Sequence, residues 1–125
     1  MDWYKEELLD HYRAPRHKGR LVNPHFTSDI HNPSCGDYIL FEARVANGTI
    51  VEIGFEGAGC VISQAAASMI SVMVKDKPFL FVIELSSDDV RALVGIDLGP
   101  TRLKCALLSL YALQQGLQKY LQSQS

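Results

Sequence analysis

The chain has no Cys-x-x-Cys, no internal repeat, no low-complexity tract and no apolar stretch of bilayer length. The missing Cys-x-x-Cys excludes a thioredoxin-type redox pair. Every apolar run falls short of the ~18 residues that a spanning helix needs. The N-terminus, Met1-Asp2-Trp3-Tyr4-Lys5-Glu6-Glu7, holds acids where a secretory signal has an apolar segment. A cytoplasmic protein with no membrane partner is expected. Cysteine is scarce: three residues, an odd number. That argues against a disulfide framework, which a reducing compartment would not sustain. Excess charge is also missing. The net charge is −2, without the basic surplus of a nucleic-acid binder.

What is present is ordinary for a soluble globular chain: 125 residues, 47% hydrophobic and 21% charged. One domain over 1–125 is expected, burying about two thirds of its unfolded surface. One local charge pattern stands out. Arg13, Arg16, Lys18 and Arg20 cluster around His17. Such a cluster is either a solvated loop or a docking patch for an acidic protein surface.

Periodicity predicts a helix over 3–13, with Trp3, Leu8, Leu9 and Tyr12 on one face and Pro15 and Gly19 beyond its end. A loop follows, with a short edge strand near Ser28–His31. Residues 37–56 alternate as a β-hairpin around Asn47-Gly48. A two-residue turn would pair Ala43 with Glu52 and set an acid on the apolar face. A bulged three-residue turn aligns Val45 with Thr49, Ala43 with Val51, Phe41 with Ile53 and Ile39 with Phe55, and is the expected register. A small-residue helix over 60–75 comes next, then the short apolar run 78–84, which suits strand or helix and is taken as helix, and a helix over 88–94 capped by Ser86 or Ser87. A long helix from Pro100 carries Leu103, Leu107, Leu110, Leu113, Leu117 and Leu121 as a core stripe. The tail 122–125 is expected to fray. The class is α+β: a small antiparallel sheet with helices packed mainly on one face.

The cysteines sit where the chain turns. Cys35 lies in Asn32-Pro33-Ser34-Cys35-Gly36-Asp37, Cys60 ends Gly57-Ala58-Gly59-Cys60, and Cys105 follows Gly99-Pro100 by one to two helical turns. Thiols beside such signals can point outward rather than fill a core. Cys60 and Cys105 fall near helix starts, where the backbone dipole favours a thiolate. Asp37 is two residues after Cys35, on the same side of an extended segment. Three sulfurs and the Asp37 oxygen would complete a tetrahedral shell for zinc, or hold an iron–sulfur cluster with one substitute ligand. The separations, 60 − 35 = 25 and 105 − 60 = 45, match no zinc finger. Spacing alone leaves three readings open: a metal or cluster pocket, three unrelated thiols, or one catalytic cysteine.

The sequence resembles the U-type iron–sulfur cluster assembly scaffolds, the IscU/SufU/NifU N-terminal family. The opening His11-Tyr12-Arg13-Ala14-Pro15-Arg16-His17-Lys18-Gly19 is similar to the family's HYxxPRNxG, with His17 in place of Asn. Asn32–Asp37, Phe55–Ala65 and Lys104-Cys105-Ala106-Leu107-Leu108 resemble its three cysteine motifs, and Tyr4 matches its N-terminal tyrosine. The resemblance implies a small α+β domain with Cys35, Asp37, Cys60 and Cys105 as ligands of iron, of a transient [2Fe–2S] cluster, or of zinc. It implies a scaffold rather than an ordinary enzyme. Sulfur would come from a cysteine desulfurase, with Cys105 or Cys60 accepting the persulfide. Apo-proteins would receive the cluster. The alternative is a zinc-dependent sulfur acceptor in the SufU manner, a transferase-like activity.

Two departures mark this chain. Lys104 stands before the third cysteine, as in the SufU branch, where IscU has His, yet there is no room for the SufU insertion between Cys60 and Cys105. The LPPVK segment that a dedicated Hsp70 reads in IscU corresponds here to Leu98-Gly99-Pro100-Thr101-Arg102. Lys104 is expected to act as a countercharge near the ligands, since ligation would require a neutral, desolvated amine. His11 is expected to pack or bond locally, and His25 and His31 to lie at the surface.

Overall fold

Two strands and a tight turn organise the molecule. In the computed structural model, which describes residues 3–32 and 36–124, β2 (Asp37–Ala46) and β3 (Thr49–Ala58) form an antiparallel hairpin. β1 (Phe26–Asn32) pairs on the other side of β2, giving the sheet order β1-β2-β3. The expected edge strand is present and longer than anticipated.

The hairpin register differs from expectation. Ala46 pairs with Thr49, so the turn is the two-residue Asn47-Gly48, both left-handed with φ of 53° and 74°. Asn-Gly suits the mirror-image turn that matches strand twist. The phase problem is solved further along: Val45 pairs with Ile50 but Arg44 with Glu52, leaving Val51 as the extra residue of a bulge. Beyond it Ala43 faces Ile53 and Phe41 faces Phe55. The displaced bulge also turns Ile50 into the core, where it is fully buried.

All five helices take the positions that the sequence signals. α2 (Val61–Val74) follows the hairpin directly, and α3 (Phe79–Glu84) is helical despite its strand-like composition. Gln114 explains part of that: its Nε2 donates to the carbonyls of Val82 and Leu85 at 3.1 and 2.8 Å, closing the open end of α3. α4 (Ser87–Val94) begins with a capping box in which Ser86 and Asp89 exchange hydrogen bonds. α5 (Pro100–Ser123) starts with proline and runs through residues 122 and 123, which were expected to fray. Its leucine stripe is core: Leu107, Leu110, Leu113 and Leu117 are buried.

α2 and α5 cover one face of the sheet, meeting Ile39, Phe41, Ile53 and Phe55 in one apolar cluster. This is the expected α+β arrangement. The opposite face is covered by chain, not helix. Gly19 N–H donates to Phe55 O at 2.7 Å and Phe55 N–H to His17 O at 3.0 Å, drawing residues 17–21 across β3. There Glu42, 1% exposed, accepts from Arg20 Nε and from Leu21 N–H.

The first helix, α1 (Trp3–Arg13), has the expected span but not the expected face. Trp3 is 73% exposed and Tyr12 43%, whereas Leu8 and His11 are buried. α1 packs on α2, and the residue facing α2 after Leu8 is a histidine that finds a hydroxyl there. His11 Nδ1 lies 2.7 Å from Ser68 Oγ, which also accepts Arg16 N–H at 2.8 Å. Satisfying all three groups places the Ser68 hydroxyl proton toward Nδ1 and the ring proton on Nε2. Packing or a local bond was expected; His11 is packed, and its bond joins residues 57 apart.

Candidate metal centre

The turn from β3 into α2 is the corner on which the site is built. Gly59 has φ +129°, a conformation that L side chains rarely adopt, and a Cβ there would overlap Asp37 Oδ1. The absent side chain lets Asp37, at the start of β2, approach the start of α2. Cys60 N–H donates to Asp37 Oδ1 at 2.8 Å. Cys60 is the N-cap residue of α2, and Ser63 N–H points at its Sγ from 3.4 Å. Asp37 is buried, 1% exposed. One of its oxygens is thus committed to backbone, and the other lies 3.6 Å from Cys60 Sγ.

Cys105 arrives from the second turn of α5. Its sulfur, the Cys60 sulfur and an Asp37 oxygen all lie within 4.8 Å of one another. On zinc, bond lengths of about 2.3 Å to sulfur and 2.0 Å to oxygen place tetrahedral S···O neighbours about 3.5 Å apart and S···S neighbours about 3.8 Å apart. The Cys60–Asp37 separation already meets that value, and the Cys105 sulfur needs a shift of no more than about 1 Å. The donor set fits a four-coordinate ion: two soft sulfurs, one hard oxygen held by a backbone bond, and a position left for one more ligand. The fourth expected ligand, Cys35, lies outside the described residues.

The two sulfurs differ in access. Cys60 is exposed and Cys105 is buried at 4%. The reading that a thiol beside a turn signal can point outward fits Cys60, whereas Cys105 is buried on its helix. Both still line one hollow of about 770 Å³ between α1, the start of α2 and the start of α5. Its walls are largely apolar, including Leu8, Leu9, Ile62 and Ile96, with Arg102 and Asp97 beside them.

Lys104 is exposed and takes part in no hydrogen bond or ion pair among the described residues. His31 is at the surface, its ring 4.6 Å from that of Tyr38 and its Nε2 3.3 Å from Asp29. His25 is also exposed, its Nδ1 accepting Val45 N–H at 2.9 Å. The basic cluster is divided. Arg16 pairs with Asp10 at 2.6 Å and Arg20 with Glu42, while Arg13 and Lys18 make no ion pair among the described residues. The Arg16 hydrogen bond and charge hold the Asp10 carboxyl below its usual range. His11 is shifted below the ordinary imidazole value by burial, then by the Arg16 charge, against weaker opposition from Glu7 and Asp10. Its buried bond to Ser68 was not legible beforehand, since a histidine at that helical spacing carries no sign of its partner. No described helix is long and apolar enough to cross a membrane.

Comparison with known proteins places the chain among relatives of known kind. The chain is 35% identical over 133 aligned positions to the zinc-dependent sulfurtransferase SufU of Bacillus subtilis, covering 93% of this chain and 90% of that one. That alignment is longer than the chain's own 125 residues, so the relative holds residues with no counterpart here. The iron–sulfur cluster assembly scaffold protein IscU of Aquifex aeolicus is 34% identical, over 97% of this chain and 78% of that one. Among solved structures, an iron-sulfur cluster assembly scaffold protein for the SUF system of Fervidobacterium islandicum superposes with a TM-score of 0.77 at 25% identity, over 90% and 94% of the two chains. The model of the NifU-like N-terminal domain matches residues 3–125, and the chain belongs to that family.

Proposed function

We propose that this chain is an iron–sulfur cluster assembly scaffold, receiving sulfur from a cysteine desulfurase and building a labile [2Fe–2S] cluster for apo-proteins. One observation carries the reading: ligand atoms of Asp37, Cys60 and Cys105 lie within 4.8 Å of one another beside an open hollow. Cys35 is the proposed fourth ligand. Iron and sulfide are cargo, so binding must be reversible, and the single oxygen ligand favours release over a fourth thiolate.

The sulfur step falls to Cys60, the exposed thiol. Its thiolate attacks the terminal sulfur of the donor's persulfide; the donor cysteine leaves as thiolate and Cys60 carries the S–SH. No net oxidation occurs in that exchange. Reducing each transferred sulfur to sulfide then takes two electrons from an external dithiol. Cys105 is the second acceptor, reached through the shared hollow. Lys104, exposed one residue before Cys105, serves as countercharge to the anionic ligand set.

Lys104 also supports a second reading, a zinc-dependent sulfur acceptor, because the SufU branch has lysine at that place. The two separate in one experiment. The protein is supplied anaerobically with ferrous iron, cysteine, dithiothreitol and a cysteine desulfurase. Visible charge-transfer absorption that is lost in Cys60→Ala supports the scaffold. A colourless protein that retains zinc and accelerates the desulfurase supports the acceptor. Neither colour nor acceleration would overturn both.

A further inference from the structure

Gly59, the neighbour of Cys60, also lines a second hollow of about 390 Å³, and it has a different character. Arg13, Lys18, Tyr12 and Gln64 line it, over a floor that includes Gly57 and Gly59. Its side-chain polar groups are rich in donors: a guanidinium, an ammonium, a hydroxyl and an amide N–H₂. The complementary ligand is an acceptor-only group, a carboxylate.

The cations are placed, not merely nearby. Lys18 is held between the two backbone bonds that tie His17 and Gly19 to Phe55. Arg13 closes α1, whose end is fixed by Ala14 N–H donating to Asp10 O at 2.8 Å. Arg16 and Arg20 of the same sequence cluster are spent on Asp10 and Glu42. The remaining pair faces one hollow, on a chain whose net charge is −2. The attraction is therefore local to this corner and is not a property of the whole surface.

We propose that this hollow docks an acidic segment of the protein that delivers sulfur, seating its carboxylates on Arg13 and Lys18 while its sulfur approaches Cys60, one residue beyond Gly59. The proposal rests on the reading of Cys60 as a sulfur acceptor. A protein segment is favoured over a free anion by magnitude. Two solvated cations hold a small anion weakly, whereas the same contacts on a partner already seated at the thiol hollow add to an existing interface and steer its approach.

The isotope-labelled protein is titrated with a hexaglutamate peptide and followed by amide NMR. Shifts should cluster at Gly57, Ala58, Gly59 and Gln64 and fade in high salt. Affinity should fall about fivefold or more in Arg13→Glu/Lys18→Glu, but not in the surface control Lys119→Glu. Shifts spread over the whole surface, or equal losses in both variants, would overturn the proposal. So would citrate binding the same amides as tightly as the peptide, which would make the hollow a free-anion site. With a cysteine desulfurase, the double variant should need about fivefold more protein for half-maximal stimulation at an unchanged saturating rate. An unchanged half-saturation overturns the docking. A wild type that stimulates no desulfurase overturns the sulfur-acceptor reading instead, and the peptide titration still decides the hollow.

Discussion

Cys60 and Cys105 reach the same point by opposite means. Cys60 is positioned locally: its N–H is tied to Asp37, its sulfur faces Ser63 N–H, and its carbonyl accepts the Ser63 hydroxyl at 3.0 Å. Cys105 is positioned globally, by a 24-residue helix whose leucines are seated in the core. A local corner survives loosening elsewhere; a sulfur carried by packing does not. A site assembled from both kinds can open on one side while Asp37 and Cys60 stay together, which suits a centre that must release what it binds.

The largest effect should come from the packed side. Leu113→Ala deletes most of a fully buried side chain of α5 and should cost about 2–5 kcal/mol in urea unfolding. The comparison predicts more than lost stability. Below the unfolding transition, metal affinity should drop as Cys105 wanders, while the Asp37–Cys60 amide signature in NMR persists. If that signature vanishes as well, the corner depends on α5 and the two-part description fails.

Gly59→Ala attacks the local side. The backbone conformation resists a side chain and the new Cβ collides with the Asp37 carboxylate. Displacing that proposed ligand should lower zinc affinity about tenfold to a hundredfold, at a stability cost of about 1–3 kcal/mol. Competition against a chromophoric chelator measures the first and urea the second. An alanine variant with native zinc affinity would mean that Asp37 is not a ligand.

Access separates the thiols more gently. In the metal-free protein Cys60 should be alkylated by iodoacetamide about tenfold faster than Cys105, given their exposure. Peptide mapping distinguishes the sites. The ratio should narrow in Leu113→Ala and collapse to near unity in urea.

Much of this was legible in the residues. The long leucine stripe, the Ser86 cap, Pro100 at a helix start and the Gly57-Ala58-Gly59-Cys60 turn each carry a local physical signal, and each appears where that signal points. The failures are tertiary. Asn47-Gly48 correctly marks a turn, but the bulge at Val51 depends on what Ile50 packs against, and no short-range pattern records it. Trp3 and Tyr12 look like core by hydropathy and remain outside, because the neighbouring α2 offers Ser68 to a histidine instead. At the site, residue types identified Asp37, Cys60 and Cys105 as donors. Their separations of 23 and 45 residues could not show that they converge; donor chemistry left a shared pocket as one reading of three, and family resemblance selected it. The division of the basic cluster was hidden as well, since Asp10 and Glu42 reach their arginines through the fold.

The smallest effect tests whether α2, which carries Cys60 at its N-cap, depends on the clasp at its middle. His11 is held below the ordinary imidazole value chiefly by burial, so the folded state takes up a proton less readily than the unfolded chain. The unfolded chain therefore binds more protons as pH falls, and stability present above the unfolded imidazole value near 6.5 is lost progressively below it. Protonation also turns Nδ1 into a donor, against the Ser68 hydroxyl that donates to it. The urea midpoint should fall between pH 7 and 5.5, and His11→Asn, less stable at pH 7, should fall less steeply over the same range. Zinc affinity must be measured alongside, because protons compete for the thiolates directly. If the corner is local, the His11 variant should follow the wild-type pH dependence of zinc binding even where its stability profile departs from it. A shift in both curves together would show that the clasp and the metal corner are one cooperative unit.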